Sequence, residues 1–217
     1  MSESRVPTPH GDGRSHTFRA RRPFATLLLS HGAGLGVGSR DLQAIARDLP
    51  RNGITVVLFD QPWVVAGRTV ATPPRTLDAG LRAAAARLRP TTPLVVGGRS
   101  AGARSATRCA TGLGAAGCLA LAFPLHPPGH PEKSRLDELA GSGVRTLVVQ
   151  GERDPFGGPE EFPGDLDHVA MSVVPGGDHG FAVPKRGPVT QDEAMGIVVE
   201  ATLEWIVREV VGESADR

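Results

Sequence analysis

A serine stands between two glycines in the stretch GGRSAGARS, where Gly98 and Gly102 are each two residues from Ser100. Serine can act as a covalent nucleophile when a tight turn exposes its hydroxyl group, and small residues let a strand run through such a turn directly into a helix. Chance alone would produce this spacing in about one such chain in five or six, so the motif is a hypothesis. The alternative is that Ser100 only caps the following helix.

An acid and a base come later in the chain. Asp154 lies in GERDPFG after the apolar run 144–151, and His179 lies in PGGDHGF after the run 169–175. Histidine suits a general base because its ordinary pKa lies near neutral pH. Taken alone, Asp154 is typical of an Asx turn, and His179 of a surface histidine. Asp178 is a rival acid, but a residue rarely curls back onto its sequence neighbour, so Asp154 is preferred.

A glycine-rich loop, SHGAGLGVGS, follows the apolar run at 25–30. Backbone N–H groups of this loop could meet the N–H of Ala101 and form a pocket for an oxyanion. The competing interpretation is a phosphate or dinucleotide loop. No G-x-G-x-x-G register fits the glycines, however, and no Walker lysine follows them.

Apolar runs and helical patterns alternate along the chain. The runs are continuous, which is typical of strands buried on both faces of a parallel sheet. They cover residues 25–30, 54–59, 93–98, 117–123, 144–151 and 169–175, and 16–20 could add an edge strand. Helices are predicted after Ser39, over 77–88, from Ala101 and after a capping box of Thr190 and Glu193. This order predicts an α/β fold: a doubly wound, mostly parallel sheet of six to seven strands flanked by helices.

Ligands of open α/β sheets bind outside the carboxyl ends of the strands. Ser100, Asp154 and His179 each come directly after their own predicted strand, as the glycine-rich loop does. Their order along the chain is the order that α/β-hydrolase topology imposes, whereas chymotrypsin-like and subtilisin-like enzymes use other orders. Each residue alone is a weak signal, and the combination predicts acyl transfer.

The chain resembles the α/β-hydrolase superfamily from about residue 17 to residue 211, on the strength of LLLSHGAG, GGRSAG, VQGERDPFG and PGGDHGF. Together with FPLHPPGHPE at 123–132, these stretches resemble a compact, lid-less hydrolase-like family. That family is related to testis-expressed protein 30 and to subunit 3 of a histone-acetyltransferase complex, with dienelactone-hydrolase-like proteins as wider neighbours.

The resemblance implies a serine nucleophile at Ser100, an acid at Asp154 and a base at His179. It also implies that the N–H groups of Ala33 and Ala101 bind the oxyanion. Dienelactone hydrolases proper carry a cysteine nucleophile, so lactone chemistry is not implied for this chain. Some relatives act as protein-interaction modules, which leaves a non-catalytic scaffold as the alternative function.

Substrate-binding residues are expected in the loops that follow the strands. Many lipases and epoxide hydrolases insert a helical lid between the sixth and seventh strands, but here 124–143 is too short for one. We therefore expect an open site with no lid domain. The residues expected to shape it are His31, Gly32, Gly34, Trp63, Phe123 and His126. His126 and His130 are four apart, but the intervening prolines preclude a regular helix, so no metal site is expected.

Composition limits the other function classes. The formal net charge is +1 and aromatic residues are 4% of the chain, which argues against a nucleic-acid partner. No apolar stretch approaches the roughly 18 residues that cross a membrane, and the polar N-terminus lacks a secretion signal, so a cytoplasmic protein is expected. Cys109 and Cys118 fit no disulfide or metal pattern and should be buried, inert thiols.

These observations predict a single α/β-hydrolase domain over 17–211, an irregular N-terminal segment over 1–16 and a C-terminal tail over 212–217. The expected partner is a small-molecule acyl substrate, with no cofactor. The predicted function is a serine hydrolase that cleaves small acyl esters or thioesters, and a nucleotide-binding α/β protein is the weakest alternative. The sequence indicates neither the natural substrate nor the oligomeric state.

Overall fold

A computed structural model describes residues 1–34, 36–68 and 72–212 of the chain. Eight strands form one sheet in the order β1-β2-β4-β3-β5-β6-β7-β8. The strands are β1 Ser2–Thr8, β2 Gly11–Phe18, β3 Ala25–Ser30, β4 Ile54–Asp60, β5 Leu94–Arg99, β6 Gly117–Leu121, β7 Thr146–Gly151 and β8 Val169–Val174. The pairs β1–β2 and β2–β4 are antiparallel. The other neighbouring strands, β4, β3, β5, β6, β7 and β8 in sheet order, are all parallel to one another.

Helices cover both faces of the sheet. They are α1 Arg40–Asp48, α2 Pro62–Val65, α3 Pro74–Leu88, α4 Ala101–Cys109, α5 Leu136–Ala140 and α6 Gln191–Trp205. Leu27 and Leu29 of β3 pack in the core with α1 and α6, and Leu28 packs on the opposite face with α3 and α4. This alternation follows from the period of two along a strand, and it explains why the parallel strands are apolar without a break.

The N-terminal residues correct the expectation of an irregular segment over 1–16. They form the β1–β2 hairpin, so the sheet has eight strands and not six or seven. Only Val6 of β1 is buried, and most other residues of the strand are exposed, which is why no apolar run marks it. Pro7 lies in an edge strand, which is where proline is tolerated in a sheet.

The parallel register brings the predicted chemistry to one edge of the sheet. Ser30 at the end of β3 pairs with Gly98 of β5 on one side and with Phe59 of β4 on the other. The loops after these strands therefore start side by side. Between β6 and β7 the chain forms only α5 and a 3-10 turn at Pro131–Lys133, so this connection contains no lid domain.

The end of the chain continues the last helix. After α6, residues Ile206–Val211 form π-helical turns, and 213–217 of the predicted tail lie outside the described residues. Within the described ranges, no helix combines the length and apolar character needed to cross a bilayer. Cys109 and Cys118 are both buried and free, and burial raises the pKa of their thiols to about 11 and about 12, respectively.

Candidate active site

The turn between β5 and α4 holds Ser100 in a strained backbone conformation. Its φ is 53° and its ψ is −114°, a region that a residue with a side chain adopts only when its surroundings impose it. The turn is crowded: a Cβ at Gly98 would lie 2.5 Å from the Ser30 carbonyl oxygen, and a Cβ at Gly102 would meet the same atom at 2.5 Å. Glycine at both positions is therefore a packing requirement of this turn, as the nucleophile-elbow motif predicts; we call the turn the elbow below.

His179 connects Ser100 with Asp154. Its Nε2 lies 2.9 Å from Ser100 Oγ, and its Nδ1 lies 2.8 Å from Asp154 Oδ2. Because a carboxylate only accepts hydrogen bonds, Nδ1 carries the proton and Nε2 is free to accept the Ser100 hydroxyl proton. The His179 side chain is 19% exposed, while that of Asp154 is fully buried. The structure thus brings the three residues together, with the serine and histidine accessible.

Asp154 forms an Asx turn and also accepts a hydrogen bond from His179. Its Oδ1 accepts the Phe156 N–H at 2.9 Å, and its Oδ2 accepts from Gln150 Nε2 at 3.0 Å as well as from His179. The two interpretations of Asp154 are therefore compatible. The Phe156 ring lies against the His179 imidazole, with 4.2 Å between centroids and 31° between planes. Together these contacts fix the orientation of the histidine ring.

Asp178, the other candidate acid, accepts hydrogen bonds from the backbone of its own loop. Its Oδ1 accepts the N–H groups of Gly180 and Ala182 at 2.7 and 2.9 Å. Between them Phe181 is buried with a φ of 53°, and the carboxylate supports this strained turn. Asp178 thus shapes the loop that carries His179 and does not contact the imidazole.

The glycine-rich loop lies against the elbow. A Cβ at Gly32 would be 3.1 Å from Ser100 Cβ, a tight contact that glycine avoids. Neither the Ala33 N–H nor the Ala101 N–H has a hydrogen-bond acceptor within the described part of the chain. Ala101 is the first residue of α4, where helical N–H groups have no partner in their own helix. Both N–H groups are therefore without an internal acceptor in that part of the chain.

His31 does not line the cleft, which corrects its predicted substrate-binding role. The residue is 1% exposed. Its Nδ1–H donates to the Gly32 carbonyl at 2.7 Å, and its Nε2 accepts the Gln61 N–H at 3.0 Å. Burial lowers the pKa of His31, consistent with a neutral ring between two backbone groups. His31 thus fixes the glycine-rich loop from below.

The cleft beside Ser100 has a volume of about 400 Å³. Its lining comes from the glycine-rich loop, the start of α1, the elbow and the histidine loop. The lining residues are Gly32, Ala33, Gly34, Gly36, Ser39, Arg40, Arg99, Pro155, Asp178, His179, Gly180 and Ala182. Of the predicted substrate-binding residues, Gly32 and Gly34 therefore lie in the cleft.

The other predicted walls lie elsewhere. Trp63 is 3% exposed and packs edge-on against His31, with ring centroids 5.3 Å apart. Phe123 is fully buried against Phe162. His126 is buried and donates to the Pro127 carbonyl at 2.9 Å and to Glu161 Oε2 at 2.8 Å. Trp63, Phe123 and His126 all follow strands at the carboxyl edge of the sheet. The Trp63 and Phe123 side chains pack in the core, however, and the His126 side chain hydrogen-bonds to neighbouring loops.

The histidines at 126 and 130 do not converge on a metal. The Glu161 partner of His126 is separate from the partner of His130, which is Glu132 at 3.0 Å. Among the described residues, no group of three or more His, Cys, Asp or Glu side chains could hold a metal ion.

Sequence reasoning did not assign a role to three residues that the structure brings to the site. They are Gln150, which donates to Asp154, Phe156, which stacks on His179, and Arg99, whose Nη2 donates to the His179 carbonyl at 2.8 Å. Gln150 could have been noticed as a polar residue at the end of an apolar run. Arg99 stands out in the sequence as the one bulky residue of the elbow, but that feature alone predicts no partner.

The chain is similar to known proteins in sequence family and in fold. A family model described as an alpha/beta hydrolase domain matches residues 23–207. A lid-less α/β serine hydrolase from Xanthomonas campestris has 20% sequence identity and a TM-score of 0.71, with 94% of each chain covered. No curated protein sequence matches significantly.

Two further solved structures have the same fold. Est1E from Butyrivibrio proteoclasticus has 14% identity and a TM-score of 0.72, with 95% of this chain and 100% of that chain covered. Dienelactone hydrolase from Anabaena variabilis has 16% identity and a TM-score of 0.73, with 96% and 97% covered. At these identities the similarity establishes the shared fold.

Proposed function

Since this chain belongs to the α/β-hydrolase domain family, we propose that it is a serine hydrolase that cleaves small acyl esters or thioesters. One observation carries the proposal. Ser100 Oγ lies 2.9 Å from His179 Nε2, and His179 Nδ1 lies 2.8 Å from Asp154 Oδ2. Both distances are within hydrogen-bond reach, as nucleophilic catalysis by a serine requires.

The proposed reaction has two stages. Ser100 Oγ attacks the acyl carbonyl carbon while His179 Nε2 takes the hydroxyl proton, and Asp154 stabilises the resulting imidazolium. The N–H groups of Ala33 and Ala101 bind the developing oxyanion. The tetrahedral intermediate then expels the alcohol or thiol, which receives the proton from His179. Water, deprotonated by the same imidazole, attacks the acyl-enzyme and releases the acid and free Ser100.

Small substrates fit the shape of the site. The cleft is about 400 Å³, and the connection between β6 and β7 adds only α5 and a 3-10 turn above it. The neighbour from Xanthomonas campestris is likewise described as lacking a lid. Among the described residues, no covering domain encloses this cleft as a channel for a long acyl chain. We therefore propose short acyl groups as the preferred substrates.

A fluorophosphonate probe tests the nucleophile directly, because it reacts with a serine that an adjacent base activates. Wild-type protein should be labelled at Ser100, and Ser100→Ala should abolish both labelling and hydrolysis of short p-nitrophenyl esters. Ser105→Ala is the matched control, since the Ser105 hydroxyl is buried on α4 and donates to Asp78 at 2.7 Å. That variant should keep its labelling. Folded wild-type protein that stays unlabelled at high probe concentration would refute the proposal.

The alternative, a non-catalytic scaffold, would be favoured by a displaced histidine or by a filled oxyanion pocket. Neither condition is met among the described residues. His179 Nε2 is within hydrogen-bond distance of Ser100 Oγ, and the N–H groups of Ala33 and Ala101 have no acceptor there. These contacts support the catalytic proposal over the scaffold.

A further inference from the structure

The Arg99 side chain reaches across the site from the elbow to the histidine loop. Arg99 directly precedes Ser100, and its Nη2 donates to the His179 carbonyl oxygen at 2.8 Å. The side chain is 16% exposed and its visible part faces the cleft. One residue thus links the backbone that carries the nucleophile to the backbone that carries the base.

A buried carboxylate orients this guanidinium. Asp41, in the first turn of α1, is 1% exposed, and its Oδ2 lies 3.3 Å from Arg99 Nε. Within the described residues, neither oxygen of Asp41 has a hydrogen-bond partner, and Arg99 is its only ion-pair partner. Burying an uncompensated charge is costly. Arg99 Nε has no hydrogen-bond partner there either, so the two groups compensate each other's charge as an ion pair.

Two glycines, one from each loop, flank the guanidinium. A Cβ at Gly32 would lie 3.5 Å from Arg99 Nη1, and a Cβ at Gly180 would lie 3.5 Å from Nη2. The guanidinium therefore lies between the glycine-rich loop and the histidine loop, next to Gly32 and Gly180.

The histidine loop has few other attachments to the elbow. Its remaining hydrogen bonds run to the turn after β7, such as Arg153 N to the Gly177 carbonyl at 2.8 Å, and to α6 through Gln191 Nε2 and the Phe181 carbonyl at 2.9 Å. Among the described residues, Arg99 is the only link from the elbow to the main chain of this loop. Arg99 therefore supplies the hydrogen bond that joins the residue before the serine to the main chain of the histidine.

We propose that Arg99 is a positioning residue that sets the distance between nucleophile and base, and that Asp41 orients it. This inference rests on the proposed serine hydrolase function. The arginine touches no reacting atom. It acts by holding the His179 main chain, so that the imidazole stays aligned on Ser100 when the ring changes its protonation state. A displacement of about 1 Å in such an aligned group can cost about 100-fold in rate.

The test compares Arg99→Met with Arg104→Met. Arg104 lies on α4, has a similarly buried side chain, 21% exposed, and pairs with Glu138 away from His179. Arg99→Met should lower kcat for a short p-nitrophenyl ester about 10- to 100-fold while KM changes less than about twofold. Labelling by the fluorophosphonate should slow in parallel. Arg104→Met should lower the melting temperature and leave kcat and labelling unchanged.

Arg99→Lys and Asp41→Asn refine the same test. Lysine can donate to the His179 carbonyl but lacks the planar fork that also faces Asp41, so it should restore part of the lost kcat. Asp41→Asn should lower kcat in the same direction as Arg99→Met, by a smaller factor. Unchanged kcat and labelling in Arg99→Met would overturn the proposal, and so would a change confined to KM.

An NMR measurement separates this inference from the proposed function. The Nδ1 proton of His179, held by Asp154, should give an exchange-protected resonance in the wild type and in Arg104→Met, identified by its loss in His179→Gln. Arg99→Met should lose or broaden it. If wild-type protein hydrolyses no ester and resists the probe, the serine hydrolase function fails. Retention of the resonance in Arg99→Met overturns the positioning role, whatever the activity.

Discussion

Two histidines follow parallel strands at the same edge of the sheet, and their surroundings differ. His31 comes after β3, is 1% exposed and contacts two backbone groups, the Gly32 carbonyl and the Gln61 N–H. His179 comes after β8, and its side chain is 19% exposed and lies between a serine hydroxyl and a carboxylate. The two residues are of the same type and each follows a parallel strand, but their hydrogen-bond partners differ.

The partners determine what each ring can do. A histidine between backbone groups gains nothing by exchanging a proton, because the carbonyl needs a donor and the N–H needs an acceptor. A histidine between a hydroxyl group and a carboxylate can take the hydroxyl proton and have its charge stabilised. His31 therefore supports the loop that carries Ala33, while the partners of His179 suit the general base that we propose it to be.

The largest expected effect comes from changing the partner of His179. In Asp154→Asn the amide can donate toward Nδ1, which favours the tautomer with its proton on Nε2, where the Ser100 hydroxyl needs an acceptor. We expect kcat for a short p-nitrophenyl ester to fall about 10⁴-fold, as the same change does in a serine protease triad.

Asp178→Asn is the matched control for that substitution. Asp178 accepts two backbone N–H groups through a single oxygen, and the Asn side-chain oxygen can do the same. Its kcat should stay within about threefold of the wild type, because its partners are backbone groups and not the imidazole. Equal losses in the two variants would show that the neighbouring carboxylate, and not the buried one, serves His179.

Two alanine variants should separate the structural role of His31 from the proposed catalytic role of His179. His31→Ala leaves the Gln61 N–H and the Gly32 carbonyl unpaired in the core, at a cost of about 1–3 kcal/mol of unfolding free energy for each. His179→Ala removes a partly exposed ring, so we expect little loss of stability and nearly complete loss of ester hydrolysis. Urea denaturation and labelling of Ser100 measure the two effects. A stable, inactive His31→Ala protein would remove the distinction between the two histidines.

The placement of Ser100, Asp154 and His179 could be predicted because buried parallel strands are continuous apolar runs. Once the runs are located, the residue after each one must lie at the carboxyl edge of the sheet. Strand β1 gives no such signal, since only Val6 is buried in it. The same runs indicate where a loop starts but not where its side chains point.

The residues predicted to form the apolar walls of the cleft lie elsewhere because the sequence does not indicate where their side chains point. Trp63 and Phe123 follow strands toward the correct edge, yet the apolar ring of each finds a core partner, His31 and Phe162 respectively. Burying a large aromatic side chain is favourable, so an apolar residue near the edge tends to turn inward. Arg99 was missed because its partners, Asp41 and the His179 carbonyl, are distant in sequence and only tertiary structure brings them together.

The smallest expected effect is a pH dependence of stability. Burial lowers the pKa of His31 below its ordinary 6.5, so the folded state binds fewer protons there than the unfolded chain. Its contribution to stability is complete above about pH 6.5 and is lost as the pH falls through the lowered pKa. The stability difference between wild type and His31→Ala should therefore shrink on acidification from about pH 8 to about pH 5.5.

His126 should show the opposite sign. Its hydrogen bond to the Pro127 carbonyl and its contact with Glu161 raise the pKa of His126 above 6.5, because both ring nitrogens donate. That contribution is complete below about pH 6.5 and is lost as the pH rises through the raised pKa. The stability difference between wild type and His126→Ala should therefore grow on acidification, as measured by urea denaturation at both pH values. Slopes of the same sign would contradict the assignment of His31 as a neutral ring held by backbone groups.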